Sequence, residues 1–256
     1  MVDTLISLGY DKLKVVVLAA VEKVNSAGAQ LDGFIVGGLY LKKGDVLWLV
    51  ALTAIIAILV VPVSHVIFIN FTNSHAYLAG FFKFFILSTM GELLSIRIVT
   101  RNWITPKGLI FRSLIWGFLG MAIVLMFGIF SGGVTAAIAQ GILPGKGSKF
   151  IWALLVSTTM NITFGPTMMI FHRFTDTFID MKYEKNNDIT ISSITKRIEW
   201  GGFFSFVILK TIPLFWIPAH TIVFLLAPEY RVIAAAFLSI ALGGILAFAK
   251  QRPQKT

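Results

Sequence analysis

Three ionisable side chains, Lys83, Glu92 and Lys210, lie within long apolar stretches of the sequence. A charge in the hydrocarbon of a bilayer costs about 3 kcal/mol, so each of these side chains needs a partner or a water-filled cavity. Asn161 and Thr163 fall at a similar predicted depth in another apolar stretch. We predict that Glu92 pairs with Lys210 and that both, with Asn161 and Thr163, line the path of a polar solute. A buried pair that only fixes helix register is the alternative that the residues leave open.

The elements that must position these side chains are six apolar stretches of membrane-spanning length. About 20 helical residues cross the ~30 Å hydrocarbon core, and backbone groups in lipid must bond within the helix. The chain has 256 residues, 57% apolar and 13% charged, and its mean hydropathy is +0.85. Such apolar surface excludes a soluble enzyme and a disordered chain. We therefore predict an all-α polytopic membrane bundle, with spans near 47–69, 77–98, 108–130, 149–171, 203–225 and 231–249.

The basic residues give this bundle an orientation. If the N-terminal segment is cytoplasmic, 17 of the 22 Lys and Arg residues fall in cytoplasmic segments and three in outer loops. This asymmetry follows the positive-inside rule and predicts that both termini are cytoplasmic. The net charge of +10 then meets anionic lipid, and no nucleic-acid partner is expected. The expected location is the cell membrane if the source is prokaryotic and an organelle membrane if it is eukaryotic.

The chain is predicted to have three parts. Residues 1–45, with balanced charges and leucines at roughly helical spacing, indicate a cytoplasmic or interfacial amphipathic helix followed by a turn at Gly37–Gly38. Residues 46–250 form the six-helix transmembrane domain, and residues 251–256 form a basic cytoplasmic tail.

Two connections between the predicted spans differ in composition from the spans themselves. The segment 131–147 is Gly-rich and predicts a short outer helix or a re-entrant piece, which lipid tolerates only when protein shields it. The segment 173–200 mixes charges of both signs and predicts a solvated helical hairpin.

Prolines interrupt two of the predicted spans. Pro166 follows Gly165 in the fourth, and Pro213 and Pro218 lie in the fifth. Each proline removes a backbone donor and frees a carbonyl, so it produces a kink or a backbone segment that lines a cavity. Three such residues beside the predicted polar cluster favour a cavity.

Chemistry beyond binding has little support in the sequence. The chain lacks cysteine, and its four histidines are scattered, so no metal site and no cofactor are predicted. The motifs of zinc proteases, serine hydrolases and P-loop enzymes are absent, so no catalytic residue is assigned and an enzyme is not expected.

Two blocks of the sequence, from Gly165 to Phe178 and from Trp216 to Arg231, resemble a eukaryotic membrane family. The family contains the peroxisomal membrane protein and a mitochondrial inner-membrane protein linked to mitochondrial-DNA maintenance. Met90 to Ser95 is similar to the Gly-Asp helix of that family, with Glu92 at the acidic place. The resemblance implies a channel-like or transporter-like role. The residues that carry the two blocks are Gly165, Pro166, Phe171, His172, Arg173, Asp176 and Phe178, and then Trp216, Pro218, Phe224, Pro228, Tyr230 and Arg231.

The sequence thus favours a channel or carrier for a small polar metabolite, which the basic groups suggest is anionic. Tyr230 and Arg231 are expected to hold the last two helices together at the outer surface. One alternative is the membrane substrate-binding subunit of a modular vitamin uptake system, with a partner ATPase and a coupling subunit. The other is a scaffold that binds no solute. A homo-oligomer is compatible with each of these.

Overall fold

The computed structural model describes residues 33–36, 39–185 and 188–251. The chain divides into two compact units, Met1–Phe68 and Ile69–Thr256. The described part is all-α in class apart from one short hairpin. The amphipathic helix predicted within residues 1–45 falls largely outside the described residues, and so does the basic tail from residue 252 onward.

In the first unit, the described part begins with a hairpin of strands β1 (Gly33–Val36) and β2 (Leu39–Lys42). The strands are antiparallel, with Val36 opposite Leu39. The sequence analysis did not predict strands here, and the turn predicted at Gly37–Gly38 lies outside the described residues. Helix α1 (Lys43–Val60) follows directly, and the carboxylate of Asp45 accepts the backbone N–H of Lys42 at 2.7 Å.

The second unit is a helical bundle in its described part. Helix α2 (Pro62–Ser74) begins in the first unit and ends in the second. One continuous helix, Trp200–Leu225, consists of three consecutive segments: a single α-helical turn, a π-helical segment and a second α-helical segment. We call it the composite helix. The helices of the second unit are α3 (Ala76–Thr100), α4 (Leu109–Ala139), α5 (Lys149–Tyr183), α6 (Ile191–Arg197), α7 (Trp200–Gly202), the π-helical segment (Phe203–Trp216), α8 (Ile217–Leu225) and α9 (Pro228–Gln251).

Within the described residues, five helices are long and apolar enough to cross a membrane: α1, α4, α5, the composite helix and Pro228–Ile245 of α9. Helix α3, which covers the second predicted span, is not among them and carries Lys83, Glu92 and Arg97. The prediction of several apolar helices of membrane length is therefore confirmed, but the predicted count of six spans is not. Large apolar side chains point away from the protein along one face of α4, as expected where lipid is the solvent: Phe111, Phe118, Leu125 and Ile129.

Helix α3 forms the centre of the second unit because glycines let its neighbours approach closely. A Cβ on Gly91 would lie 2.8 Å from the carbonyl oxygen of Ser239 in α9, and one on Gly243 would lie 2.7 Å from that of Gly91. Nearer the start of α3, Gly80 makes the same kind of contact with Gly120 of α4. Small residues at such crossings are how membrane helices gain packing energy without a hydrophobic driving force.

The first predicted span, 47–69, is divided in two. Helix α1 ends at Val60, Val61 is extended (φ −72°, ψ 123°), and α2 begins at Pro62. A residue before proline is pushed out of the helical region, which explains the break. Breaks were predicted at the prolines of two other spans, but none was predicted at Pro62.

The two predicted connections are shorter than expected. Residues 131–139 continue α4, so the predicted separate outer helix or re-entrant piece is wrong for this part. Gly132 and Gly133 have nothing within 4 Å of an added Cβ, and a helix that bonds its own backbone needs no other shield. Likewise, α5 continues to Tyr183, and only α6, packed through Ile194, forms the second arm of the predicted hairpin.

Candidate functional site

A cavity of about 290 Å³ lies inside the second unit, among α3, α4, α5, the composite helix and α9. Most of its wall is apolar and aromatic, with methionines from α5. The apolar lining includes Phe84, Phe127, Met160, Phe164, Met168 and Phe203. A mostly apolar enclosure with a few polar groups is the usual form of a small-molecule site. We call it the central cavity.

One polar group of the central cavity is the pair Asn161 and His220. Asn161 is buried, donates to the carbonyl of Ser157 at 2.8 Å, and lies 3.1 Å from Nδ1 of His220. The ring of His220 stacks on Trp216, one helical turn earlier, with centroids 5.3 Å apart. This chain of contacts joins α5 to the composite helix where its π-helical segment becomes α8. Ser157 also donates to the carbonyl of Ile217 at that junction.

A second polar group, the Arg112 cluster, lies at one end of the cavity. Arg112 is buried on α4, and its guanidinium lies 2.9 Å from a carboxylate oxygen of Asp176 and 2.6 Å from one of Asp180, both on α5. The carboxylate of Glu92, on α3, is 3.6 Å from the same guanidinium. One cation thus ties three helices together through three carboxyl groups.

His172 connects the Arg112 cluster to the central cavity. Its Nδ1 is 3.4 Å from Asp176, one turn along α5, and its ring lies 4.2 Å from that of Trp116. The other ring nitrogen, Nε2, is buried and has no hydrogen-bond partner, and the same is true of Nε1 of Trp216. Native proteins satisfy nearly all buried polar atoms. Two unbonded nitrogens in one cavity wall therefore indicate positions where a ligand or water binds.

Further cavities adjoin the central cavity and share parts of its wall. A cavity of about 290 Å³ beside Glu92 shares Trp116, His172 and Trp216 with it. A third cavity, at Asp180 and Arg197, shares Arg173. Toward the opposite end, a fourth lies at Lys83 and Arg231 and shares Phe127. Polar openings therefore flank the central cavity at both ends of the bundle.

The predicted pairing of Glu92 with Lys210 is wrong. Glu92 lies beside Arg112, whereas Lys210 is exposed on the π-helical segment and lines none of these four cavities. The pairing was predicted from similar depth in the membrane, and depth does not determine which face of a helix a residue occupies. The predicted cluster of Glu92, Asn161 and Lys210 therefore does not form. Asn161 and Glu92 line adjoining cavities instead.

Other predicted residues have different positions. Thr163 is exposed, and its hydroxyl donates to the carbonyl of Thr159 on its own helix. Gly165 lines the central cavity, while Pro166 next to it lies within α5, which continues past it. Pro213 and Pro218 are exposed on the composite helix and do not line the central cavity. The prolines therefore lie beside the cavity wall instead of forming it.

At the opposite end of the bundle, Arg231 joins α9 to its neighbours. Its Nε donates to the carbonyl of Leu226 at 3.1 Å, and its guanidinium lies over the rings of Trp152 and Phe224. The neighbouring Tyr230 is half-buried on the same helix. These contacts lie where Tyr230 and Arg231 were expected to link the last two helices.

Sequence reasoning missed three residues of the site: Arg112, His172 and His220. Arg112 was treated only as a basic flank of the third span, and the two histidines were interpreted as interfacial. Two spacings in the sequence carried a signal. Asp176 and Asp180 are four residues apart and so share a helix face that needs a cation. His220 is four residues after Trp216, which places both rings on one face.

Within the described ranges, no group of three or more histidine and acidic side chains is arranged to hold a metal ion. No protein-family model, no curated protein and no solved structure matches the chain. The site is therefore interpreted from its own chemistry.

Proposed function

We propose that this chain is an integral membrane channel or carrier for a small polar solute, and that the central cavity lies on the solute's path. The observation that carries the proposal is a cavity enclosed by membrane-length helices, with two unbonded ring nitrogens in its wall. A protein that only anchors or spaces other proteins has no need of such a cavity. A buried polar group without a hydrogen-bond partner costs free energy.

The adjoining cavities support movement of the solute as well as binding. The central cavity shares wall residues with cavities toward both ends of the bundle. At their common boundaries are aromatic rings, which have to turn before a solute of more than a few atoms passes. Such gated access is typical of a carrier more than of an open pore.

The proposed location is the cell membrane if the source is prokaryotic and an organelle membrane if it is eukaryotic, with both termini in the cytoplasm. The native chain lacks cysteine, so single cysteines report topology without background. With this orientation, Lys146→Cys in intact cells reacts with a membrane-impermeant maleimide, whereas Ser192→Cys reacts only after lysis. The reverse pattern contradicts the orientation.

The resemblance to the peroxisomal and mitochondrial membrane family points to the same function, and kinship with that family is part of the proposal. Several residues that carry the resemblance line the central cavity: Gly165, His172, Arg173, Asp176 and Trp216. If the family relation holds, its shared pattern marks a solute site.

The decisive experiment is solute flux into liposomes that contain only the purified chain. Glu92→Gln keeps the size of the side chain but removes its charge beside Arg112, so we expect slower flux with unchanged membrane insertion. Glu184→Gln is the matched control, because Glu184 is exposed and pairs with Arg197 outside the central cavity. Lys210→Met is a second control and should also leave flux unchanged.

An alternative is the substrate-binding subunit of a modular vitamin uptake system. The closed, aromatic-lined central cavity favours this candidate as well, because such a subunit must hold its ligand firmly. Tight ligand binding without flux from the chain alone, together with co-purification of an ATPase and a coupling subunit, would identify it. If the chain shows neither binding nor flux for any solute, the scaffold is the remaining candidate.

A further inference from the structure

The two unbonded nitrogens in the wall of the central cavity differ in what they can bind. Nε1 of Trp216 carries a hydrogen and only donates. Nδ1 of His172 lies 3.4 Å from a carboxylate oxygen of Asp176. This negative charge favours the neutral tautomer that carries its proton on Nδ1, in which Nε2 is an acceptor. A ligand that satisfies both nitrogens therefore accepts one hydrogen bond and donates another.

A carboxylic acid group matches this pattern. Its carbonyl oxygen accepts from the indole, and its hydroxyl donates to the imidazole. A carboxylate bound to the protonated imidazole is the same complex with the proton on the other partner. In both descriptions the site takes up one carboxylate and one proton from solution.

The charges around His172 favour an acid that arrives with its proton. The groups that face it are Asp176 and Arg173 on its own helix, Arg112 on α4 and Glu92 on α3, with Asp180 on the far side of Arg112. The composite helix contributes Trp216, with His220 bonded to Asn161, and α9 contributes Ser239 and Leu242, which do not titrate. The cluster as a whole holds three carboxyl groups and two guanidiniums, so an added anion alone would increase its negative charge.

The remaining wall defines the body of the ligand. A volume of about 290 Å³ corresponds to about ten water-sized groups, since liquid water occupies ~30 Å³ per molecule. The wall is mostly aromatic and thioether, and the ring of Trp116 lies against His172 at 4.2 Å. Such a wall suits an apolar or aromatic body and disfavours a polyhydroxylated one.

We propose that the central cavity binds a small monocarboxylate with an apolar body, together with one proton, between Nε1 of Trp216 and Nε2 of His172. The inference rests on the proposed function and names the substrate class of the same site. It also supplies the energy coupling, because a carboxylate that moves with a proton follows the proton gradient.

The test is titration calorimetry of the full chain in detergent with three ligands of one shape: benzoate, benzamide and benzylamine. Benzoate should bind, and its affinity should fall about tenfold per unit between roughly pH 7 and pH 9, because one proton enters with it. Benzamide offers the same donor and acceptor without a proton, so its affinity should not change with pH. Tighter binding of benzylamine than of benzoate, or a benzoate affinity independent of pH, overturns the proposal.

Two variants locate the head group. Trp216→Phe keeps a ring and removes the N–H, and it should weaken benzoate at least tenfold. His172→Phe keeps the contact with Trp116 and removes the proton site, so it should abolish the pH dependence. Trp200→Phe is the control for a lost indole N–H, because Trp200 donates to the carbonyl of Thr195 outside the cavity. Unchanged benzoate binding in folded Trp216→Phe and His172→Phe contradicts the assignment.

Failure of this inference is distinguishable from failure of the proposed function. Liposome flux of another solute without any benzoate binding overturns the substrate class and leaves transport in place. Benzoate binding with the expected pH slope, but no flux, supports the substrate class and favours the substrate-binding subunit over the carrier.

Discussion

The two ends of the helical bundle stabilise their buried cations in different ways. At one end, Arg112 contacts the carboxyl groups of Glu92, Asp176 and Asp180, drawn from two neighbouring helices. We call this the carboxylate end. At the other, the aromatic end, the amine of Lys83 donates to the hydroxyl of Thr72 at 2.8 Å. There, the guanidinium of Arg231 lies over aromatic rings.

This difference shows which end can exchange charge with a ligand. At the carboxylate end the negative groups outnumber the guanidinium of Arg112, so a proton or a ligand can change the balance of a connected network. At the aromatic end the contacts named here are with a hydroxyl, a carbonyl and ring faces, and a single carboxyl group, that of Glu229, acts on Arg231. The first arrangement suits a site that responds to a ligand, and the second suits a fixed anchor.

The largest expected effect comes from removing the cation at each end. Arg112→Met leaves the half-buried carboxyl groups of Glu92 and Asp176, and the exposed one of Asp180, without this cation, and should lower the free energy of unfolding by about 3 kcal/mol. Lys83→Met removes the hydrogen bond of the amine to Thr72 and should cost less, about 1–2 kcal/mol. Reversible unfolding in mixed detergent micelles measures both. Adding Asp176→Asn and Asp180→Asn to Arg112→Met should recover part of the loss, and equal losses at both ends would contradict the comparison.

The packing of the carboxylate end is tested by adjacent glycines on α9. Gly243→Ala would place a Cβ 2.7 Å from the backbone oxygen of Gly91, and we expect a loss of about 1–3 kcal/mol from overpacking. Gly244→Ala is the matched control, since nothing lies within 4 Å of its Cβ, and a gain in helix propensity should make it neutral or slightly stabilising. The same unfolding assay compares the two, and a loss for Gly244→Ala alone would reject the contact.

At the aromatic end, Arg231→Lys distinguishes stacking from charge. Lysine keeps the positive charge but lacks the planar guanidinium that stacks on Trp152. We expect a loss of about 1 kcal/mol for both Arg231→Lys and Arg231→Gln. If Arg231→Lys is as stable as the parent chain, charge alone holds this end, and the contrast with Arg112 is weaker than we infer.

The smallest effect is expected at an exposed pair. The guanidinium of Arg197 donates two hydrogen bonds to Glu184 and lowers the pKa of that carboxyl group below its ordinary value. The pair therefore stabilises the folded state at pH values above the ordinary pKa of a glutamate. This stabilisation is lost as the pH falls through the lowered pKa of Glu184. Arg197→Gln should be slightly less stable at pH 7, and the difference should vanish below about pH 4. Melting curves across this range measure the effect, and a difference that grows in acid would contradict it.

Much of the architecture could be predicted from composition and periodicity. Apolar runs of membrane length predict helices because lipid offers backbone groups no other partner. Three of the described helices begin near the predicted bounds, at Ala76, Leu109 and Lys149. The errors were local: a break at Pro62 and two helices that continue further than their polar composition suggested. Glu92 and Asn161 were selected because a polar group in an apolar run has to be satisfied by something, and they line adjoining cavities.

Tertiary structure alone decided the partners. Helical spacing defines the face of a helix that a residue occupies, but the neighbour facing it depends on how the helices cross. The contacts of Gly80 with Gly120 and Gly91 with Gly243 set those crossings and bring Arg112 to Glu92. The π-helical segment turns Lys210 outward. The sequence by itself determined that the chain is built for lipid and carries charges that need partners. Only the packed helices determined that those charges meet at one end of a cavity.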